Sequence, residues 1–341
     1  MPSAKLTRDN IPTRLLDAKL EAVGRFLHAE PAEEPRPLTY TASARASENL
    51  VGIGVGFKIS KGKVRPTHAV RFYVVSKIPP SAIPDEHLLP RSIGGLPTDV
   101  IETGLFQAFA VPAGQKRIRP AKPGCSIGFQ FSGAKAEFVM AGTFGAVVAD
   151  SSNTRYILSN NHVLANENTL PLGSPIFQPG LLDGGKPATD TIAALTKFIP
   201  IKFSGANHVD CAIAKPTSPK LISPTVLPKV GKLASSTPIA AVVGMKVHKT
   251  GRTTGYRTGA VFDVSADVKV GYDAGTATFQ NQVLVRGDTP QPFSDSGDSG
   301  SMIVDRQTQR ATALLFAGST AYTIGNHMSD VLAALGVTLV T

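Results

Sequence analysis

The apolar positions of the chain fall into short runs broken by turn residues, which is the pattern of a β-rich protein. In the C-terminal two thirds these runs form two series, separated by the Pro/Ser-rich stretch 216–238. The members are Phe144–Val148, Arg155–Ser159, Pro175–Gln178, Ile192–Phe198 and Val209–Ala214, then Ile239–His248, Ala260–Val264, Thr276–Arg286, Ser301–Asp305 and Thr312–Ala317. Two series of short strands indicate two β-barrels. A helix is predicted after them over Ser329–Leu335, with Gly336 as its cap.

The N-terminal third has a different pattern. Residues 11–28 carry apolar side chains at helical spacing, which predicts an amphipathic helix rather than a signal peptide. These side chains are Leu15, Leu16, Leu20, Val23 and Leu27. The stretch 29–47 is rich in Pro, Glu and Ala and is expected to be a linker. Beyond it, Leu50–Ile59 and Ala69–Val75 predict a β-hairpin, and Thr98–Thr103 predicts a third strand.

The fold class that follows is mainly β, in three parts. We expect the helix and linker over 1–48, a small α+β domain over 49–118, and a domain of two β-barrels with a C-terminal helix over 119–341. A chain of 341 residues, 42% of them hydrophobic, can bury more than one core. The 32 glycines and 26 prolines supply the many turns that such a protein needs.

Composition also narrows the compartment and the partners. The net charge of +10 is spread along the chain, with 17 basic against 11 acidic residues in 1–120 and 18 against 14 in 121–341. Nucleic acid is therefore an unlikely partner. The two cysteines, Cys125 and Cys211, are too few for a disulfide framework and favour a reducing compartment. No apolar stretch reaches the length of a membrane span, so we expect a cytoplasmic protein with no membrane partner, metal or cofactor.

The strongest candidate for chemistry is the turn Gly297-Asp298-Ser299-Gly300. Its two glycines allow a tight turn in which the N–H groups of Gly297 and Ser299 converge beside the Ser299 hydroxyl, where an oxyanion would form. A serine nucleophile needs a neutral imidazole, and the imidazole needs a carboxylate to orient it. His162 follows an apolar strand, and Asp210 begins another. The alternative is an ordinary surface turn, since Gly, Ser and Asp are common turn residues.

Together these segments resemble those of trypsin-like (chymotrypsin-fold) serine proteases. The turn at Ser299 resembles their nucleophile loop, residues 156–164 resemble the catalytic-histidine segment, and residues 209–214 resemble the catalytic-aspartate segment. The order is His162, Asp210, Ser299, with separations of 48 and 89 residues, against about 45 and about 93 in the chymotrypsin template. The resemblance implies a chymotrypsin-like double β-barrel and a serine endopeptidase acting on protein or peptide substrates.

Further segments resemble a bacterial branch of this fold that is related to the plant narrow-leaf protein. They are Gly52–Gly56, Leu96–Val100, Lys249–Gly255, Phe293–Asp305 and Leu314–Gly318. The resemblance implies an intracellular protease and, as in some members, a homo-oligomer.

The same resemblance suggests which residues contact substrate. It puts Phe293, six residues before Ser299, at the position that sets primary specificity, which implies a small or aliphatic residue before the cleaved bond. It puts Phe316 near Asp210 and Gly318 at the edge where substrate adds as a strand. The chain departs from the better-known members in that no apolar new-terminus motif of the zymogen kind precedes the barrel, so pairing of Asp298 with a liberated amine is not assumed. The alternative function is therefore a catalytically silent scaffold or peptide-binding module that needs an activating partner.

Two other residues compete for the catalytic roles. His208 stands in a second Asn-His-Val tripeptide beside Asp210, but it lacks the preceding strand and is expected to be a loop or edge residue. Ser126 lies in a Gly-x-Ser-x-Gly sequence, which in α/β-hydrolases requires a strand before it and a helix after it. Prolines precede it here and no helical spacing follows, so we expect Ser126 to enter the first barrel strand.

Overall fold

The structure is a computed structural model that describes residues 6–27, 49–60, 62–106, 116–133, 136–226, 229–288 and 292–341. The chain is mainly β, with two β-barrels and a small N-terminal region of helix and strands. These features of the predicted fold class are confirmed. The predicted linker over 29–47 lies outside the described residues.

The strands are rich in buried positions, and several of the shorter ones are buried along their whole length. They are β1 (Leu50–Ser60), β2 (Lys63–Val74), β3 (Ser92–Ile93), β4 (Leu96–Glu102), β5 (Ser126–Ile127), β6 (Gly142–Thr143), β7 (Ala146–Ala149), β8 (Arg155–Ser159), β9 (Pro175–Phe177), β10 (Thr191–Phe198), β11 (Ala206–Asn207), β12 (Ala212–Pro216), β13 (Lys246–Gly251), β14 (Gly255–Tyr272), β15 (Gly275–Gly287), β16 (Met302–Asp305), β17 (Ala311–Gly318), β18 (Tyr322–His327) and β19 (Thr338–Leu339). The α-helices are α1 (Thr13–Ala22), α2 (Asn161–Leu164), α3 (Pro187–Asp190) and α4 (Met328–Leu335).

The first barrel is an antiparallel sheet in the order β19-β7-β8-β12-β10-β9, completed by the β5–β6 pair. Its interior holds a cluster of fully buried apolar side chains that includes Phe144, Ile157 and Leu195. The second barrel contains β13–β18 and closes because β14 pairs with both β13 and β15. One predicted strand is wrong in its first part: the strand expected over 239–248 begins at Lys246, since the chain turns at Gly244 with φ +87°.

The N-terminal strands continue the sheet of the second barrel. Strand β1 pairs with β14 through Gly52↔Val268, β2 pairs antiparallel with β1, and β4 lies parallel to β2. The predicted hairpin and third strand are confirmed. The domain boundaries expected at 48/49 and 118/119 stay a prediction. One continuous sheet contains strands from both sides of the boundary at 118/119.

Helix α1 packs on this sheet, but its buried face differs from the predicted one. The buried residues are Leu15, Ala18, Lys19 and Ala22, whereas Leu20 is 60% exposed. The prediction for Leu20 is wrong because the helix is rotated to place the Lys19 ammonium 2.8 Å from Asp267 Oδ1 in the sheet. A buried lysine is tolerated only when a carboxylate meets it.

The C-terminal helix is confirmed as α4, and Gly336 caps it in the left-handed conformation (φ +72°) with its N–H donating to Leu332 and Ala333. After the cap, β19 returns to the first barrel and pairs with β7. Within the described ranges, none of the helices combines the length and apolar character needed to cross a membrane.

Candidate active site

His162 lies in the short helix α2 that follows β8. Strand β8 ends at Ser159, Asn160 adopts extended backbone as the N-cap, and the helix begins at Asn161. The Asn160 amide nitrogen donates to the Asp210 carbonyl at 2.8 Å, so the start of the helix is tied to the segment before β12. Asn160 thus helps to fix the position of α2, and with it the direction in which the His162 side chain points from the first barrel.

Asp210 receives hydrogen bonds on both carboxylate oxygens and is fully buried. Its Oδ2 lies 2.6 Å from His162 Nδ1 and accepts the Tyr272 hydroxyl at 2.9 Å. Its Oδ1 accepts the N–H of Asn161 at 2.7 Å and that of His162 at 3.3 Å. This arrangement fixes the imidazole tautomer, because the proton on Nδ1 faces the carboxylate and Nε2 is left with its lone pair.

His162 Nε2 is buried and has no hydrogen-bond partner among the described residues. An unpartnered ring nitrogen in a buried site is uncommon, since satisfied polar groups are the rule. Such a nitrogen is the acceptor that a nearby hydroxyl needs to lose its proton.

Ser299 lies in the tight turn before β16 and is 1% exposed. Gly297 and Gly300 flank it with φ of +87° and +93°, which non-glycine residues rarely adopt. A Cβ on Gly300 would also meet the Thr143 carbonyl oxygen at 2.2 Å. The Ser299 hydroxyl donates to the Phe316 carbonyl in β17 at 3.3 Å. It is therefore only weakly held and is free to turn to another acceptor.

Thr143 of the first barrel holds the Ser299 turn from the other side. Its N–H donates to the Ser299 carbonyl at 2.8 Å, and its hydroxyl donates to the Gly297 carbonyl at 2.9 Å. Because His162 belongs to the same barrel as Thr143, these two bonds fix the Ser299 turn relative to the imidazole.

The carbonyls of the Ser299 turn set the direction of its N–H groups. The Ser296 carbonyl accepts the Thr253 hydroxyl, and the Asp298 carbonyl accepts the Ser301 N–H at 2.9 Å. In a planar trans peptide the N–H points opposite to the carbonyl. The N–H groups of Gly297 and Ser299 therefore point away from the donors that bind the carbonyls of Ser296 and Asp298. Within the described residues, neither N–H donates to another protein atom.

The Asp298 carboxylate is paired with a buried lysine, which the sequence reasoning missed. Lys249 Nζ lies 2.7 Å from Asp298 Oδ2, and both side chains are completely buried. The N–H groups of Thr253 and Thr254 donate to Asp298 Oδ1 at 2.9 and 3.1 Å. Burial lowers the pKa of Lys249, and the Asp298 charge opposes that shift. Lys249 thus supplies from within the chain the cation that a zymogen-type terminus would supply.

Arg252 anchors the turn that follows β13, the strand that contains Lys249. Its guanidinium pairs with both oxygens of Asp183, with Nε 2.6 Å from Oδ2, and both side chains are fully buried. Its N–H donates to the Thr143 hydroxyl at 3.0 Å. The same threonine therefore links the Ser299 turn and the turn at 252–254.

The residues predicted to contact substrate lie in different surroundings. Phe293 packs in the apolar interior of the second barrel and is 2% exposed. The adjacent Ser294 is buried and its hydroxyl bonds the Thr323 hydroxyl at 2.5 Å. Phe316 packs against Phe279, with ring centroids 4.7 Å apart.

Gly318 ends β17, whose last residues pair with β18 on one side only. The contact roles of Phe293, Phe316 and Gly318 stay predictions.

The two competing residues lie apart from this arrangement. His208 is exposed beyond β11, and its carbonyl accepts from Gln282. Ser126 is buried in β5, where its hydroxyl accepts the Gly180 N–H at 3.0 Å. Among the residues that the structure describes, no three His, Cys, Asp or Glu side chains gather as metal ligands.

Tyr272 is the other site residue that sequence reasoning missed. It ends β14, and its ring packs edge-on against the His162 ring with centroids 5.9 Å apart. A tyrosine at the end of a strand carries no local signal for such a contact, since 62 residues separate it from Asp210.

Comparisons with known proteins agree with the second-barrel motifs. Residues 220–324 match the family model of the Nal1 C-terminal domain. The chain is similar to Protein NARROW LEAF 1 of Oryza sativa subsp. japonica, with 25% identity over 310 residues, which are 79% of this chain and 51% of that protein. It therefore spans about half the length of this curated relative.

Among solved structures, the chain is similar to Thermobifida fusca Protease A, with 17% identity and a TM-score of 0.45 over 65% of this chain and 100% of that chain. It is also similar to a glutamic acid specific serine protease, with 21% identity and a TM-score of 0.45 over 64% of this chain and 100% of that chain. The part of the chain that matches the Nal1 C-terminal domain contains Lys249 and Ser299, while His162 and Asp210 precede it.

Proposed function

We propose that the protein is a trypsin-like serine endopeptidase with the triad His162, Asp210 and Ser299. The observation that supports it most is the His162 imidazole, which is bonded to Asp210 through Nδ1 and left with an unpartnered, buried Nε2. Among the described residues, the buried His248 also has an unpartnered Nε2, but its Nδ1 bonds the Tyr256 hydroxyl at 3.3 Å. The carboxylate on Nδ1 is therefore what distinguishes His162.

The proposed reaction begins when the Ser299 hydroxyl leaves the Phe316 carbonyl and turns to His162 Nε2. His162 takes the proton while Ser299 attacks the peptide carbonyl, and the N–H groups of Gly297 and Ser299 bind the oxyanion. The imidazolium then protonates the leaving amine, which gives an acyl-enzyme that water hydrolyses by the same steps in reverse roles. Asp210 stabilises the imidazolium and keeps its orientation throughout.

A second candidate is a protease-fold scaffold or peptide-binding module that needs an activating partner. It is favoured by the bond from Ser299 to Phe316 and by the 1% exposure of Ser299, because an incoming peptide must change both.

For substrate recognition we propose Phe293, Phe316 and Gly318 as contacts, with a small or aliphatic residue before the cleaved bond. The burial of Phe293, which is 2% exposed, leaves this assignment dependent on the resemblance alone. Membership of the bacterial branch of the fold, cytoplasmic residence and a homo-oligomer stay predictions.

The test is labelling of the full chain with a fluorophosphonate probe, followed by assay of peptide hydrolysis. We expect wild type to be labelled and Ser299→Ala and His162→Ala to lose both labelling and on the order of 10⁴–10⁶ in turnover. The matched controls are Ser126→Ala and His208→Ala, which should label like wild type. Peptide binding by a wild type that neither labels nor hydrolyses would favour the scaffold.

A further inference from the structure

Tyr272 occupies a place in the site that the endopeptidase proposal does not use. It stands at the end of the long β14–β15 hairpin, which pairs as far as Tyr272↔Gly275. Its hydroxyl donates to Asp210 Oδ2 at 2.9 Å, the same oxygen that lies 2.6 Å from His162 Nδ1. One carboxylate oxygen therefore accepts from both the tyrosine and the histidine.

The ring of Tyr272 is held by aromatic neighbours on several sides. It packs edge-on against His162 and Phe203 and lies tilted on Phe279, with centroid distances of 5.9, 6.1 and 6.1 Å. The residue is 8% exposed. Burial raises the pKa of Tyr272 well above its usual value, and the Asp210 charge raises it further, so the phenol stays a donor at all physiological pH values.

The tip of the hairpin is in turn fixed by Glu167 of the first barrel. The Glu167 carboxylate accepts the N–H of Asp273 at 3.1 Å and that of Ala274 at 2.8 Å. Glu167 follows the helix of His162 by a few residues and lies in a run of three left-handed, non-glycine residues, Asn166, Glu167 and Asn168. Such backbone is unfavourable for a residue like glutamate, and here it accompanies a carboxylate that faces the hairpin turn.

Resting on the proposed function, we propose that Tyr272 is a positioning residue for the Asp210–His162 pair and that Glu167 positions Tyr272. The hairpin of the second barrel thereby completes the acid–base pair of the first. Without the Tyr272 hydroxyl, Oδ2 keeps more negative charge and the protonated imidazole is stabilised more strongly. Without Glu167, the hairpin tip is free to draw the hydroxyl away from Asp210.

The first test compares Tyr272→Phe with Tyr73→Phe in the full chain. Tyr73 of β2 is the matched control, because it is also buried and also donates to an aspartate, Asp263, but that aspartate is not the one bonded to His162. We expect Tyr272→Phe to lower kcat/KM by roughly 10- to 100-fold, as for loss of a hydrogen bond to a charged group. In this variant the acid limb of the pH profile of kcat/KM should move up by roughly half to one pH unit. Tyr73→Phe should leave the limb in place.

The second test observes the hydrogen bond between His162 and Asp210 directly and does not depend on turnover. The His162 Nδ1 proton should give a far-downfield proton resonance, assigned by its loss in His162→Ala. We expect this resonance to move in Tyr272→Phe and to stay in Tyr73→Phe. Because this readout needs no substrate, it decides the role of Tyr272 even if wild type is neither labelled nor active, an outcome that would sink only the endopeptidase proposal.

The third test asks whether Glu167 acts through Tyr272. Glu167 also carries charge near His162, so kcat is compared on the plateau of the pH profile, where protonation of the imidazole no longer contributes. We expect Glu167→Ala to lower kcat less than Tyr272→Phe does, and the double variant to match Tyr272→Phe alone. Additive losses would overturn the role of Glu167. An unmoved acid limb and resonance in Tyr272→Phe would overturn the role of Tyr272.

Discussion

Two fully buried aspartates flank the site, and they are satisfied in opposite ways. Asp298, next to Ser299, meets the Lys249 ammonium at 2.7 Å together with backbone N–H groups. Asp210 meets two backbone N–H groups, the Tyr272 hydroxyl and the His162 ring. One carboxylate is paired with a permanent cation, and the other faces a group that gains charge only when it takes a proton.

The difference decides what each aspartate can do. A buried charge that is already neutralised has nothing left to gain during a reaction, so Asp298 and Lys249 can only hold the Ser299 turn. A buried charge surrounded by neutral donors is still available to stabilise a new cation, so Asp210 favours the imidazolium. The same residue type therefore has a structural role in one barrel and an electrostatic role in the other.

The largest effect should come from Asp210→Asn. The amide presents an N–H to an imidazole that must itself donate from Nδ1, so the tautomer needed at Nε2 is lost, and kcat should fall on the order of 10⁴-fold. The measurement is peptide hydrolysis on the pH plateau. Asp99→Asn is the control, because Asp99 also accepts a backbone N–H, that of Ile59, but lies in β4. A loss of less than tenfold would contradict the role given to Asp210.

Lys249→Met should instead act on folding. It leaves the Asp298 carboxylate buried without its cation, which should lower the free energy of unfolding in urea by about 3–5 kcal/mol. The double variant Lys249→Met/Asp298→Asn removes both charges and should recover most of that loss. If the double variant is no more stable than the single one, the two side chains do not form the pair described.

Thr253→Val should affect the rate with little effect on KM. It removes the hydroxyl that holds the Ser296 carbonyl, so the peptide that carries the Gly297 N–H can turn away from the oxyanion. We expect kcat to fall by roughly 10- to 100-fold, somewhat less than for complete loss of an oxyanion donor. Thr253→Ser keeps the hydroxyl and should stay near wild type. A Thr253→Val protein that keeps the wild-type kcat would contradict the role given to this hydroxyl.

The smallest expected effect is on the pH dependence of stability and concerns His327, a buried histidine whose Nε2 bonds a backbone carbonyl. His327 Nε2 donates to the Val264 carbonyl at 3.0 Å, and burial lowers the pKa of His327. As pH falls below about 6.5, the unfolded chain takes up this proton before the folded chain does, so stability is lost with falling pH. His327→Gln should reduce that loss by at most about 1.4 kcal/mol per pH unit.

Urea unfolding at pH 7.5 and 5.5 measures this effect. His208→Gln is the control, because His208 is exposed and should leave the pH dependence unchanged. A His327→Gln protein with the full wild-type dependence would show that another group causes it.

Much of the fold was accessible from the sequence because it depends on local spacing. Short apolar runs bounded by turn residues predicted the two barrels, and Gly336 marked the end of α4. The turn at Ser299 was likewise marked by glycines that must adopt positive φ. The buried face of α1 was predicted less well, because apolar spacing alone favoured Leu20 over Lys19.

The sequence by itself determined the order His162, Asp210, Ser299 and the strands that carry them, because each segment has a local pattern of apolar strand and small polar residues. Only the tertiary structure decided how the two aspartates are satisfied. Lys249 and Tyr272 lie 49 and 62 residues from the carboxylates that they meet. The partner of a buried charge is set by which strands come together, and a lysine or tyrosine in a strand looks the same locally whatever it will face.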